Sequence, residues 1–191
     1  MKFYYISDDY LKFINPKYDS RVMQPNIIGA KKFVFGIVLN IGGINYYAPV
    51  SSIDRKKANK NHLYNIDKQG NINYSALKST IKPRVFAIHD NHPNGEIIAM
   101  VRLDFMFPVH SNDIKEVDFT LFNTGIKADE EYKILLEKEL EACKSHYSEI
   151  CDKASKIYEK SKDPKHIFSK VCCNFNMLEI GFGDWITQSN Y

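Results

Sequence analysis

Residues 33–50 constrain the fold of this chain more than any other stretch. Phe33–Ile41 is a run of β-branched and aromatic residues, Gly42 and Gly43 follow, and Ile44–Val50 returns as a second run of the same kind. Glycine tolerates the positive φ that a two-residue hairpin loop demands, so the pattern predicts two antiparallel strands joined by a tight turn. Both runs are too apolar to face water on one side. At least one of these strands is therefore expected to be central in its sheet.

The flanking sequence extends that sheet. Phe3–Ile6 reads as a short strand, and Ser7, Asp8 and Asp9 offer caps for a helix through Ile14. Residues 15–30 read as irregular, punctuated by Pro16, Pro25 and Gly29. Residues 51–82 are polar and basic, with one turn signal at Lys68-Gln69-Gly70-Asn71. Arg84–His89 and Glu96–Leu103 form a second expected hairpin around Asn91-His92-Pro93-Asn94-Gly95, and Phe105–Val109 continues as a strand or an edge limited by Pro108. From Asp129 the period changes. Leu136, Leu140, Cys143, Tyr147, Ile150, Ala154 and Ile157 step by alternating fours and threes, which predicts one long helix of about nine turns. A short helix from Asp163 and a segment around Asn174–Ile180 complete the chain. The expected fold class is α+β: a twisted antiparallel sheet with helices on one side, as one domain over residues 1–191.

Composition narrows the function. Apolar residues make up 44% of 191, enough for a full core and too many for a disordered chain. No run of about 18 apolar residues offers a membrane span. The opening MKFYYISDDY carries acids where a signal peptide needs an apolar stretch, so a cytoplasmic location is expected. The four cysteines lack a CxxC pair, which disfavours a zinc ribbon and suits buried reduced thiols. Net charge is only +3, but it is unevenly spread. Residues 1–85 hold fourteen Lys/Arg against five Asp/Glu, while residues 86–191 hold twelve against eighteen. A basic first half points to a polyanionic partner.

The second hairpin strand runs out into Ser51-Ser52-Ile53-Asp54-Arg55-Lys56-Lys57, and Lys31-Lys32 precede the first. Simple antiparallel pairing across Gly42–Gly43 places Lys32 opposite a residue close to Ile53, so the lysines and hydroxyls gather at one end of the hairpin. Hydroxyls beside cations suit RNA strand cleavage. The ribose 2′-hydroxyl supplies the nucleophile, and the protein helps remove its proton, stabilises charge on phosphorus and protonates the leaving oxygen. DNA lacks that hydroxyl and is expected to be inert. No metal or cofactor is expected, because the carboxylates of the basic half are scattered. His89 and His92 are the best metal candidates, yet they fall on a Pro-Asn-Gly turn. His62, just beyond the basic cluster, is a candidate acid, base or RNA contact. Tyr46, Tyr47 and Tyr64 could stack bases or serve the sheet. Two other readings stay open on these residues: a non-catalytic RNA-binding domain, and an enzyme with a metal at His89/His92.

MKFYYIS, FVFGIVLNIGGINYYAPVSS and CNFNMLE together resemble the ToxN/AbiQ family, toxins of type III toxin–antitoxin systems, with the CptN branch the most similar. The likeness runs over most of the chain. It implies a strongly bent antiparallel sheet like that of the MazF/Kid toxins, with added helices. It also implies a metal-independent endoribonuclease that cuts single-stranded RNA at A-rich sites, leaving a 2′,3′-cyclic phosphate and a 5′-hydroxyl. The implied inhibitor is a pseudoknot RNA antitoxin, held with the toxin in a closed protein–RNA assembly, and the implied role is phage defence. Within the family pattern Lys32 matches the lysine before the GIVL strand, and Ser51 and Ser52 match the Ser/Thr-Ser pair. Those three are the expected catalytic residues, with Lys31, Arg55, Lys56, Lys57 and His62 as RNA contacts. Two positions depart from the pattern. Ile53-Asp54-Arg55-Lys56-Lys57 stand where proline and then lysine are usual, so the further cation is Arg55, Lys56 or Lys57. Ile28 stands where some members carry an aromatic residue.

Overall fold

The computed structural model describes residues 1–25, 33–53, 64–66, 68–69, 71–90 and 95–191. Nine strands are seen among them: β1 (Lys2–Ile6), β2 (Val34–Ile41), β3 (Ile44–Ser52), β4 (Tyr64–Ile66), β5 (Ile72–Leu77), β6 (Phe86–His89), β7 (Ile97–Val101), β8 (Phe107–Pro108) and β9 (Ile114–Glu116). The main sheet is antiparallel in the order β6-β7-β3-β2-β1-β9, with β8 also on β3, and β4–β5 form a separate hairpin. Both strands of the β2–β3 hairpin are central, where their two-sided apolarity predicts at least one. Gly42 and Gly43 turn at φ 57° and 88°, the positive values a two-residue loop requires. One edge of β3 faces β2. Its other edge meets β8 through Tyr46 and Tyr47, and then β7 through Val50, Ser51 and Ser52.

The hairpin register corrects simple pairing. Near the turn Leu39 pairs with Tyr46, but Gly36 pairs with Tyr47 and Val34 with Pro49. A bulge between Gly36 and Leu39 therefore leaves Ile37 and Val38 without counterparts on β3 and moves β2 two residues along β3. The arm of β2 leading towards Lys32 is displaced by two residues from the simple register that matched Lys32 with the neighbourhood of Ile53. The bulge is closed from above, where the Tyr147 hydroxyl donates to the Ile37 carbonyl at 2.8 Å. Gly36 makes it possible, because a Cβ there would overlap the Tyr47 ring. Gly36→Ala is expected to cost about 1–3 kcal/mol through this overlap. A lowered urea midpoint with an unchanged slope would register it.

The helices are α1 (Asp8–Lys17), α2 (Lys127–Ser145), α3 (Tyr147–Lys162), α4 (Phe168–Val171) and α5 (Phe175–Ser189). Ser7 caps α1, accepting from the Tyr10 N–H, with Asp8 and Asp9 in the first turn. The long helix expected from Asp129 is two helices that share one apolar stripe. His146 leaves helical geometry at φ −112°, ψ 23°, and its ring Nδ1 lies 3.0 Å from the Ala142 carbonyl oxygen. That local side-chain bond competes with the helical ladder, so the helix breaks while the stripe continues. Here α2 packs on β6 and the turn Phe119–Phe122, and α3 packs on β2 and α4.

Alternation along β3 sorts its side chains between two faces. Phe35, Ala48 and Ala99 belong to the large core beneath the helices, whereas Met100 belongs to a smaller cluster with Tyr64, Leu77, Val85 and Ile97. Beside the end of β3, buried Asp104 pairs with Arg84 at 3.2 Å and with Arg102 at 2.9 Å, and the Arg102 N–H donates to Pro49 at 2.8 Å. Cys143, Cys172 and Cys173 are buried free thiols, and burial pushes that of Cys172 up to about 12. Among the described residues no helix is long and apolar enough to cross a membrane.

Candidate active site

The last three residues of β3 build the site. Val50 pairs with Val101, Ser51 with Met100 and Ser52 with Ala99. Neighbours in a strand point to opposite faces, so the two serines do too. Ser51 is exposed and shares its face with Met100. Ser52 turns towards the helices, and its Oγ lies 2.8 Å from Oε1 of Glu139 on α2, the hydroxyl donating when the acid is charged.

Glu139 is fully buried. Among the described residues its second oxygen, Oε2, has no hydrogen-bond partner. Burial raises the carboxyl to about 7, and the Ser52 hydroxyl holds it back only in part. The described groups that feel this acid are Ser52 from β3 and Tyr132 and Cys143 from its own helix. Burial, seconded by the Glu139 charge, pushes the Tyr132 hydroxyl up to about 12. Sequence reading missed Glu139. The available signal was its position, three residues after Leu136 and four before Cys143, which puts an acid on the apolar stripe. In the structure Glu139 is fully buried there, and Leu140 is only partly so.

Of the residues expected at the site, Ser51 and Ser52 stand together at the strand end. Lys31, Lys32, Arg55, Lys56, Lys57 and His62 lie outside the described residues. The nearest described backbone link joins Phe33, which follows Lys32 in the chain, to Val50, which precedes Ser51: the Val50 N–H donates to the Phe33 carbonyl at 3.3 Å. Tyr46 and Tyr47 are buried in the sheet, and Tyr64 in the smaller cluster, so none of them offers a face to a base. His89 has its Nδ1 2.8 Å from the Gly95 carbonyl oxygen, and His92 lies outside the described residues. Among the described residues no three His, Cys, Asp or Glu side chains are grouped as metal ligands.

A family model described as toxin ToxN of type III toxin–antitoxin systems matches residues 2–182. The chain belongs to the ToxN toxin family. Three solved structures share its fold. One, from work on a processed non-coding RNA that regulates a bacterial antiviral system, is 24% identical with a TM-score of 0.71, covering 96% of this chain and 98% of that one. A second, from a study of type III toxin inhibition by a non-coding RNA pseudoknot, is 23% identical with a TM-score of 0.72, covering 96% of each chain. The third is AbiQ, a lactococcal anti-phage endoribonuclease of a type III system, 17% identical with a TM-score of 0.73, covering 97% of this chain and 98% of AbiQ. A search of curated proteins by sequence returned no match. The ToxN fold thus extends over nearly the whole chain, and β3 ends in the paired hydroxyls that the sequence resemblance singled out.

Proposed function

We propose that this ToxN-family toxin is a cytoplasmic endoribonuclease that cuts single-stranded RNA at A-rich sites by attack of the ribose 2′-hydroxyl. The observation that carries the reading is the pair of exposed serines at the end of β3, one of them tied to a buried acid. In the proposed step the 2′-oxygen loses its proton and bonds to phosphorus. The bond from phosphorus to the 5′-oxygen breaks, and that oxygen takes up a proton. The products are a 2′,3′-cyclic phosphate and a 5′-hydroxyl. Ser51 and Ser52 are assigned one to each of the two non-bridging oxygens, reaching the phosphate from opposite faces at the strand end, and Lys32 to the developing charge or the leaving oxygen. Arg55, Lys56, Lys57, Lys31 and His62 are assigned to the RNA chain. Neighbouring structures come from work on RNA-regulated and pseudoknot-inhibited systems, which supports a pseudoknot RNA antitoxin as the inhibitor, in a closed assembly, with phage defence as the setting.

The test is incubation of purified toxin with A-rich RNA in EDTA, followed by analysis of the new ends. Cyclic phosphate ends are expected, with no cutting when a deoxyribose replaces the ribose at the scissile position. Dependence on added metal, or cleavage of the deoxy substrate, would sink the 2′-hydroxyl mechanism. RNA binding without cleavage would favour the non-catalytic reading.

A further inference from the structure

Glu139 is an expensive residue to keep where it is. A charged carboxylate taken fully out of water needs compensating donors, and among the described residues this one has a single hydroxyl on Oε1 and nothing on Oε2. No described cation pairs with it. The neutral acid relieves both problems. Its own O–H becomes the donor, and the oxygen left unpartnered is an uncharged carbonyl, far cheaper to bury.

That choice decides what Ser52 offers to a substrate. A hydroxyl has one hydrogen and two lone pairs. Facing a carboxylate, Ser52 spends its hydrogen on Glu139 and presents only lone pairs outward, which repel a phosphate. Facing a neutral acid, Ser52 accepts from Glu139 and keeps its hydrogen for the outward side. A separation of 2.8 Å serves either direction.

We propose that Glu139 is a positioning residue of the active site: as a neutral acid it donates to Ser52 Oγ, fixing that hydroxyl as a donor towards the non-bridging oxygen of the scissile phosphate. The proposal rests on the nuclease reading above and adds to it a residue that never touches RNA. It also explains why an acid stands on the apolar stripe, where a leucine would otherwise be the better-packed choice. The described groups facing it, Ser52, Tyr132 and Cys143, hold no positive charge that would favour the carboxylate, and its burial tilts it the same way.

Cleavage of an A-rich RNA oligonucleotide by the wild type, Glu139→Gln and Glu139→Ala decides the matter, measured in EDTA from pH 6 to pH 9. Glutamine keeps the shape and a permanent donor, so Glu139→Gln is expected within about threefold of wild type at pH 6. Glu139→Ala, which leaves Ser52 unheld, should be about tenfold slower or worse. Above neutrality the wild type loses its donor form and the Gln variant does not, so their rate ratio should fall about tenfold for each pH unit once the acid ionises. Parallel profiles for wild type and Glu139→Gln overturn the proposal and leave the nuclease reading standing. So does a Gln variant as slow as the Ala variant with its native circular dichroism intact. A wild type that cuts no RNA at any pH overturns the nuclease reading, and this proposal with it.

Discussion

Alanine in place of Ser51 is expected to slow RNA cleavage about a hundredfold or more while leaving the fold intact. The loss is that of one donor aimed at charge that develops only in the transition state. The fold is spared because Ser51 is exposed at a strand end, where removing a hydroxyl costs about 1 kcal/mol or less. Single-turnover rates on an A-rich RNA and urea midpoints measure the two quantities separately. Ser52→Ala gives the instructive contrast. It strips Glu139 Oε1 of its hydroxyl partner as well, adding a cost of about 1–3 kcal/mol for the stranded buried group. A Ser51→Ala protein cutting at wild-type speed would mean that the active site lies elsewhere.

The largest effect on stability is expected at Asp104. Its carboxylate is fully buried and takes bonds from Arg84 Nη1 at 3.2 Å, Arg102 Nε at 2.9 Å and Arg102 Nη2 at 3.0 Å. Neither arginine is fully exposed, and Arg102 also lies over the Phe105 ring, 4.0 Å from its centre. Asp104→Ala leaves two guanidinium groups in place without their counter-charge, a change worth about 3–5 kcal/mol. For a chain of this length the melting temperature should fall by about 6–20 °C, readable by calorimetry. Activity should fall too, because Arg102 bonds to Pro49, two residues before Ser51. A fall of only a degree or two would show that water already screens the cluster.

The hairpin was legible because its signals are local: two glycines for the turn and uninterrupted apolar strands beside it. The strand β9 was not, since Ile114–Glu116 carries no pattern of its own and becomes a strand only by pairing with Tyr4–Ile6. The hairpin β4–β5 was hidden in a polar stretch whose turn at Lys68–Asn71 was visible while its three-residue arm was not. The break at His146 escaped because periodicity reports which face is buried and not whether the backbone is continuous. At the candidate site, the serines stand out in the sequence through chain order and their neighbouring charges, and their catalytic role is a proposal. Glu139 was hidden by reading the stripe as an apolar pattern, in which an acid looks like an interruption and not a member. Placement of the lysines and Arg55 remains a proposal drawn from the sequence, since they fall outside the described residues.

The bulge in β2 also has an arithmetic meaning. It adds two residues, an even number, to a strand in which facing reverses at every step. An even insertion preserves parity, so Phe33 and Phe35 still look the same way as Ala48 and Ser52 across the bulge. An odd one would invert every residue on the far arm, carrying Phe33 and Phe35 out of their packing with Phe3. The strand thus has a reading frame of two. Natural or engineered changes in its length that keep this frame leave the facing of Phe33 and Phe35 untouched, and those that break it do not.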